Sequence, residues 1–183
     1  HRKPQRRGNA HQKRGLIPGR VSITERPAAV DTRLRSGHWE GDTIHGAHHK
    51  GGVVTLVERK TRVLVAAPIT DFKASTINQA IQNAFRGIPT QFIRTLTLDN
   101  GKEFAGFKQL EELLRARIYF ADPYSAYQRG SNEQVNGLVR RHLPKGTSFK
   151  HLSKHPLDTI TETINNRPRK CLEYRTPKEV FQI

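Results

Sequence analysis

The chain has 183 residues, with 32 Lys and Arg against 16 Asp and Glu for a net charge of +16. That length can bury one ordinary core without a metal finger or disulfide framework, and the single cysteine, Cys171, fits neither a disulfide nor a thiolate-zinc spacing. No apolar run approaches the roughly 18 residues that span a bilayer and none follows the basic N-terminus, so membrane and secreted classes are set aside, a cytoplasmic location is expected, and the charge excess points to a polyanionic partner such as nucleic acid.

Residues 1–35 hold ten Lys or Arg against Glu25 and Asp31, with Gly8, Gly15, Pro18, Gly19 and Pro27 breaking any periodicity. They read as a basic N-terminal arm or linker, either solvated or lying along a phosphate backbone. A domain is expected over 36–183. Residues 38–44 read as a first strand, and the β-branched runs 53–58 and 63–69, joined by Arg59-Lys60-Thr61-Arg62, as an antiparallel hairpin. Ile77, Ala80, Ile81, Ala84 and Phe85 recur at helical spacing, with Asp71 as a candidate cap and Pro89 beyond the end. A fourth strand at 93–98, a helix at 103–116 and a fifth strand at 118–121 follow. The polar loop 122–130 leads to a helix at about 131–142, and the last helix lies near 156–166. Three leading strands followed by alternating helix and strand is the order of a ribonuclease-H-like mixed α/β sheet flanked by helices, although order alone licenses no function.

Three acids stand at element ends beside glycines. Asp42 lies on the first strand in Trp39-Glu40-Gly41-Asp42. Asp99 ends the fourth strand in Leu98-Asp99-Asn100-Gly101, and Glu133 falls in the first turn of the helix opened by Gly130-Ser131-Asn132. If the first and fourth strands are neighbours, Asp42 and Asp99 lie side by side and Glu133 can approach from the helix above. Converging carboxylates raise one another's pKa and need cations to stay ionised. Mg²⁺ suits them, because it takes hard oxygen ligands and shares its shell with substrate phosphate. Two such ions roughly 3.5–4 Å apart can serve in-line phosphoryl transfer. Taken singly, Asp99 could equally cap a turn with Asn100-Gly101, and Glu133 could merely favour a helix N-terminus.

The segments around the acids distinguish these readings. Gly37-His38-Trp39-Glu40-Gly41-Asp42, Leu98-Asp99-Asn100-Gly101-Lys102-Glu103-Phe104 and Gln128-Arg129-Gly130-Ser131-Asn132-Glu133-Gln134-Val135-Asn136-Gly137-Leu138 together resemble the insertion-sequence-thirty family of bacterial DDE transposases. The 33 residues between Asp99 and Glu133 match the spacing of that family. Glu25-Arg26-Pro27, Arg140-Arg141, Pro144-Lys145-Gly146-Thr147, Asn166-Arg167-Pro168-Arg169-Lys170 and Thr176-Pro177 extend the similarity from about residue 16 to the C-terminus. Gln134, His142 and Leu143 depart from the pattern of many relatives, and none replaces an acid.

The resemblance implies a ribonuclease-H-like, integrase-type catalytic domain with Asp42, Asp99 and Glu133 as catalytic, metal-binding acids. It implies Mg²⁺ as cofactor, with Mn²⁺ as a substitute. The implied activity cleaves a strand at insertion-sequence ends and joins the freed 3′-hydroxyl to target DNA. It further implies a homodimer or larger synaptic assembly, and a bacterial, nucleoid-associated location. The family carries helix-turn-helix regions ahead of this domain, and the chain has no methionine, so a piece of a longer protein is expected. The alternative from another class is a non-catalytic nucleic-acid-binding protein that keeps the fold. A retroviral-type integrase or a structure-specific nuclease would share the chemistry.

On the helix from Ser131, Val135, Leu138, Val139 and His142 form the inward stripe, while Glu133, Asn136, Gly137 and Arg140 share a face that could meet DNA. Arg129, Asn136, Arg140, Arg141 and Lys145 are the candidate DNA-binding residues, the basic ones through phosphates. Tyr124 and Tyr127 are candidates for base stacking or for packing. His38, His45, His48 and His49 crowd the first acid without a structural zinc spacing. Glu40, Glu58, Glu103 and Asp122 remain as spare acids, with Glu103 expected to face solvent or a basic neighbour. Trp39 is expected to anchor the core.

Overall fold

A computed structural model of the chain describes residues 17–122 and 130–181. Its strands are β1 (His38–His45), β2 (Gly52–Glu58), β3 (Leu64–Ile69), β4 (Thr95–Leu98) and β5 (Arg117–Phe120). The helices are α1 (Ala74–Ala84), α2 (Phe107–Leu114), α3 (Gly130–His142), α4 (Lys154–Asn165) and α5 (Pro177–Val180). The sheet order is β3-β2-β1-β4-β5. Strands β1, β2 and β3 pair antiparallel, and β4 and β5 join parallel to β1. This is the mixed five-stranded sheet expected from the sequence.

Strand alternation separates two helical layers, because successive side chains point to opposite faces. Trp39, Val54, Leu56, Ala67 and Ile69 pack with Ile77, Ile81, Phe107 and Leu110 of α1 and α2 on one face. Ile44, Val53, Val57, Leu64 and Ala66 pack with Val135, Val139, Leu157 and Ile164 of α3 and α4 on the other. The interior strand β2 is buried throughout, so its Val-Val-Thr-Leu-Val run is apolar on both faces apart from Thr55. Trp39 is fully buried and donates from Nε1 to Phe92 O at 2.7 Å, as an anchor of the core should. Phe181 meets its ring edge-on at 5.9 Å, which brings the end of the chain onto the first strand.

Several elements differ from the sequence reading. Asp71 does not cap α1: Lys73 is the N-cap residue, and the Asp71 carboxylate accepts from Lys73 N in the turn before the helix. The helix expected over 103–116 is divided into a 3-10 turn, Lys102–Phe104, and α2. Asn78 of α1 donates to Gly106 O at the break, beside the helical bond that the same oxygen accepts from Leu110 N. His142 is exposed, and Leu143 takes the buried position. Within the basic segment 1–35, the described part from residue 17 sets four side chains into the fold, while residues 31–35 are exposed. Ile17, Ile23, Arg26 and Val30 are buried, and Ser22 forms a parallel bridge with Phe120 of β5. The apolar residues between its glycines and prolines cover the open edge of the sheet, as edge strands require.

Candidate active site

Parallel pairing of β1 with β4 matches Trp39 with Leu96 and Glu40 with Thr97. Continued by two residues, that register sets Asp42 beside Asp99 at the same end of the sheet and on the same face. Gly41 lies between them and the core. A side chain there would meet Leu98 Cδ2 at 2.6 Å and Leu56 Cδ2 at 3.1 Å, so the close approach of the two strands requires glycine.

Asp42 is held from two directions. Its Oδ1 accepts from Thr43 N at 2.9 Å, and its Oδ2 accepts from Asn136 Nδ2 of α3 at 2.8 Å. Asn136 Oδ1 in turn accepts from Thr55 Oγ1 at 2.8 Å, so the hydroxyl in the middle of β2 orients the amide that orients the acid. Asp99 Oδ1 accepts from Gly101 N at 2.9 Å, the turn-capping bond that its Asn-Gly sequel suggests. Asn100 Nδ2 donates to Ala121 O at 2.5 Å and ties that turn to the end of β5. Glu133 is exposed in the first turn of α3, one turn ahead of Asn136.

The remaining acids divide by role. Glu58 is fully buried and accepts from Gly37 N, His38 N, Lys60 N, Thr61 N and Thr61 Oγ1, so it holds the β2–β3 turn to the start of β1. Glu103 accepts from Thr43 Oγ1 at 3.2 Å and lies over Gly101, near enough to His45 for its charge to act on that imidazole. Glu40 is 1% exposed and pairs with Arg59 at 2.5 Å. Asp122 is half-buried and has a partner.

The histidines do not assemble a cluster of ligands. His45 stacks on Phe72 with ring centroids 4.0 Å apart, and its Nδ1 lies 3.3 Å from His49 Nδ1. Burial pushes the His45 imidazole below its usual pKa, against the opposing pull of Glu103 and Asp42. His38, paired with Thr95 Oγ1 at 2.9 Å, is likewise lowered by burial.

Of the candidate DNA contacts, Arg129 lies outside the described residues, as do Tyr124 and Tyr127. Asn136 spends its amide on Asp42 and Thr55. Arg140 donates to His45 O at 2.9 Å and stands over the Phe149 ring, binding α3 to the end of β1. Arg141 and Lys145 are exposed.

Among the described residues, no three His, Cys, Asp or Glu side chains converge closely enough to hold a metal ion. The donors at the sheet end nevertheless fit Mg²⁺ in kind. Asp42 and Asp99 are adjacent hard-oxygen carboxylates, and the donors seen on them include backbone and side-chain amides. Glu133 stands at the near end of the helix packed above them.

The five-stranded order, with two acids on adjacent strand ends and a helix laid across them, is that of a ribonuclease-H-like fold. Solved structures share it. The bovine immunodeficiency virus integrase catalytic core superposes with a TM-score of 0.59 at 18% identity, covering 80% of this chain and 94% of that one. A chain of the simian T-cell lymphotropic virus intasome in complex with a PP2A regulatory subunit gives 0.64 at 21% identity over 79% of this chain and 53% of that one. Residues 34–126 match the integrase core domain, and the chain belongs to that family. Its curated relatives include the transposase for insertion sequence element IS4351 of Bacteroides fragilis, 39% identical over 99% of this chain and 55% of the relative. Another is transposase InsI for IS30A of Escherichia coli, 36% identical over 97% and 47%. The chain thus spans about half the length of the curated relatives it matches.

Proposed function

We propose that this chain is the catalytic domain of an insertion-sequence DNA transposase, using Asp42, Asp99 and Glu133 for metal-dependent phosphoryl transfer. The observation that carries the reading is the β1–β4 register, which places Asp42 beside Asp99 with α3 fastened to Asp42 through Asn136. The similarity to insertion-sequence transposases supports the same class of substrate.

Asp42 and Asp99 would hold the cation between them, and Glu133 would complete the set from α3. When bound, Mg²⁺ supplies charge neutralisation on both sides of the phosphorus and activates the attacking oxygen. Asn136 keeps Asp42 turned toward the site by its donated hydrogen bond, and the Gly101 amide does the same for Asp99. In the first reaction a water oxygen forms a bond to phosphorus at the element end. The bond to the 3′-oxygen breaks, one proton of the water ends on that oxygen, and the other leaves the new 5′-phosphate for solvent. In the second, the freed 3′-oxygen bonds to a target phosphorus and the target 3′-oxygen departs with a proton. Neither reaction needs a covalent protein intermediate. The exposed Arg141 and Lys145 contact phosphates, and two element ends are brought together by two or more copies of the protein.

Strand cleavage and joining on element-end DNA with Mg²⁺, compared among wild type, Asp42→Asn, Asp99→Asn and Glu133→Gln, tests the proposal. Each substitution should abolish both reactions while leaving DNA binding intact. Unchanged cleavage in the three variants would sink it, and a wild type that binds DNA without cleaving it under any divalent ion would favour a non-catalytic role.

A further inference from the structure

We infer that a buried ionic network centred on Glu40 is the positioning device for the three acids, an inference that rests on their proposed catalytic role. Glu40 precedes Asp42 by two residues on the same face of β1, and its carboxylate bridges two elements. Oε1 accepts from Arg59 Nη1 at 2.5 Å, and Oε2 accepts from Asn132 N of α3 at 3.2 Å. Asn132 is the residue before Glu133. Arg59 also donates to Asp31 at 2.9 Å, Asp31 accepts from Arg26 at 2.5 Å, and Arg26 donates to Thr97 Oγ1 at 2.9 Å. Thr97 precedes Asp99 by two residues and is the register partner of Glu40. One connected set of side chains therefore grips β1, β4 and α3, each within two residues of its acid.

Stability alone does not account for such a set. Glu40 and Arg59 have side chains 1% and 6% exposed, and a desolvated ion pair is commonly no more stable than apolar residues of the same volume. Arg26 is buried beside the like charge of Arg59, and burial followed by that repulsion depresses its basicity. The Asn132 amide is buried with neither its oxygen nor its nitrogen bonded. The helix start is thus seated by the Glu40 carboxylate acting on the Asn132 backbone rather than by the Asn132 side chain. What the network supplies is a fixed distance between the start of α3 and the two strands, which is the separation that sets whether three carboxylates can share a cation.

The double variant Glu40→Gln/Arg59→Gln removes the pair without changing net charge or leaving a single buried ion. We expect it to unfold cooperatively at a temperature close to or above that of the wild type in metal-free buffer. Its dissociation constant for Mn²⁺, read by electron paramagnetic resonance on the whole chain, should rise about tenfold or more. Cleavage should need correspondingly more Mg²⁺ at unchanged KM for DNA. Asp31→Asn, at a side chain 61% exposed, removes the charge that links Arg26 and Arg59 while keeping an amide oxygen that can accept from them, and should raise the same constant about threefold. Wild-type Mn²⁺ affinity in both folded variants would overturn the inference. If the double variant does not fold, Asp31→Asn decides alone, with wild-type affinity overturning the inference and a rise supporting it. Asp42→Asn run alongside separates this failure from that of the catalytic reading: if it too binds Mn²⁺ like the wild type, the acids and not the network have been misassigned.

Discussion

Asn136 carries more of the site than its position in a polar helical face suggests. Its amide stands between Thr55, which has no exposure, and Asp42, so Asn136→Ala leaves the buried hydroxyl only its 3.4 Å contact with Asp42 O and removes one of the bonds that orient the Asp42 carboxylate. The expected cost is about 1–3 kcal/mol of stability by denaturant titration. Strand cleavage should fall roughly 10- to 100-fold through misplacement of the acid. An Asn136→Ala variant that cleaves like wild type would show that Asp42 is oriented by other contacts. His38 gives a pH dependence of defined sign. Burial holds its folded pKa below the ordinary 6.5, only partly opposed by Glu58, so below about pH 6.5 the unfolded chain takes up a proton that the folded chain refuses. Stability should be level above that pH and decline as pH falls toward the lower folded value. In thermal midpoints followed against pH, His38→Gln should show a shallower acid decline than wild type; parallel curves would remove His38 as a contributor. At this scale the sequence was partly legible. Asp42 and Asp99 could be set side by side from strand order alone. Glu40, Thr55 and Asn136 could not be assigned partners, because those lie 92, 81 and 94 residues away and follow from how α3 crosses the sheet.

At the level of elements, the strands were readable because β-branched runs and alternation report both their existence and their inward faces. The divided helix before β5 was not. At its break Asn78 donates to Gly106 O from a separate helix, and periodicity carries no trace of that contact. Edge strand β3 shows a related dependence. Asn165, at the end of α4, accepts from Leu64 N and donates to Leu64 O, both at 2.8 Å, so a side-chain amide replaces the missing neighbouring strand. Asn165→Ala should cost about 1–3 kcal/mol, since both groups of Leu64 are buried. Hydrogen exchange should speed at Leu64 while the central strands stay protected; unchanged protection there would argue that water substitutes for the amide. Gly41 sets the opposite limit. Gly41→Ala places a methyl group against Leu98 and Leu56, both without exposure, and overpacking of this kind costs about 1–3 kcal/mol. Because the strain falls between β1 and β4, cleavage should drop by more than the folded fraction does. Equal losses would mean that the strands absorb the methyl group without moving the acids.

Across the whole molecule, the net charge of +16 was evident from composition, but its disposition was not. Arg26, Arg59, Arg140 and Arg169 donate to partners within the fold, and burial lowers the pKa of Arg26, Arg140 and Arg169. Those guanidinium groups hold elements of the fold together. Arg141 and Lys145, exposed at and beyond the end of α3, are the residues that the proposed function assigns to phosphate contact. If both contact phosphates, Arg141→Gln and Lys145→Gln should each weaken binding to duplexes of any sequence and reduce the slope of log K against log salt by about 0.9. Arg140→Gln should behave differently. It removes the bond to His45 O, so its principal effect should be on thermal stability and cleavage, with the salt slope close to that of wild type. Fluorescence anisotropy over a series of salt concentrations reads both quantities. A full-sized slope change for Arg140→Gln would place its guanidinium on DNA, whereas unaltered slopes for Arg141→Gln and Lys145→Gln would move the phosphate-binding surface off this end of the helix.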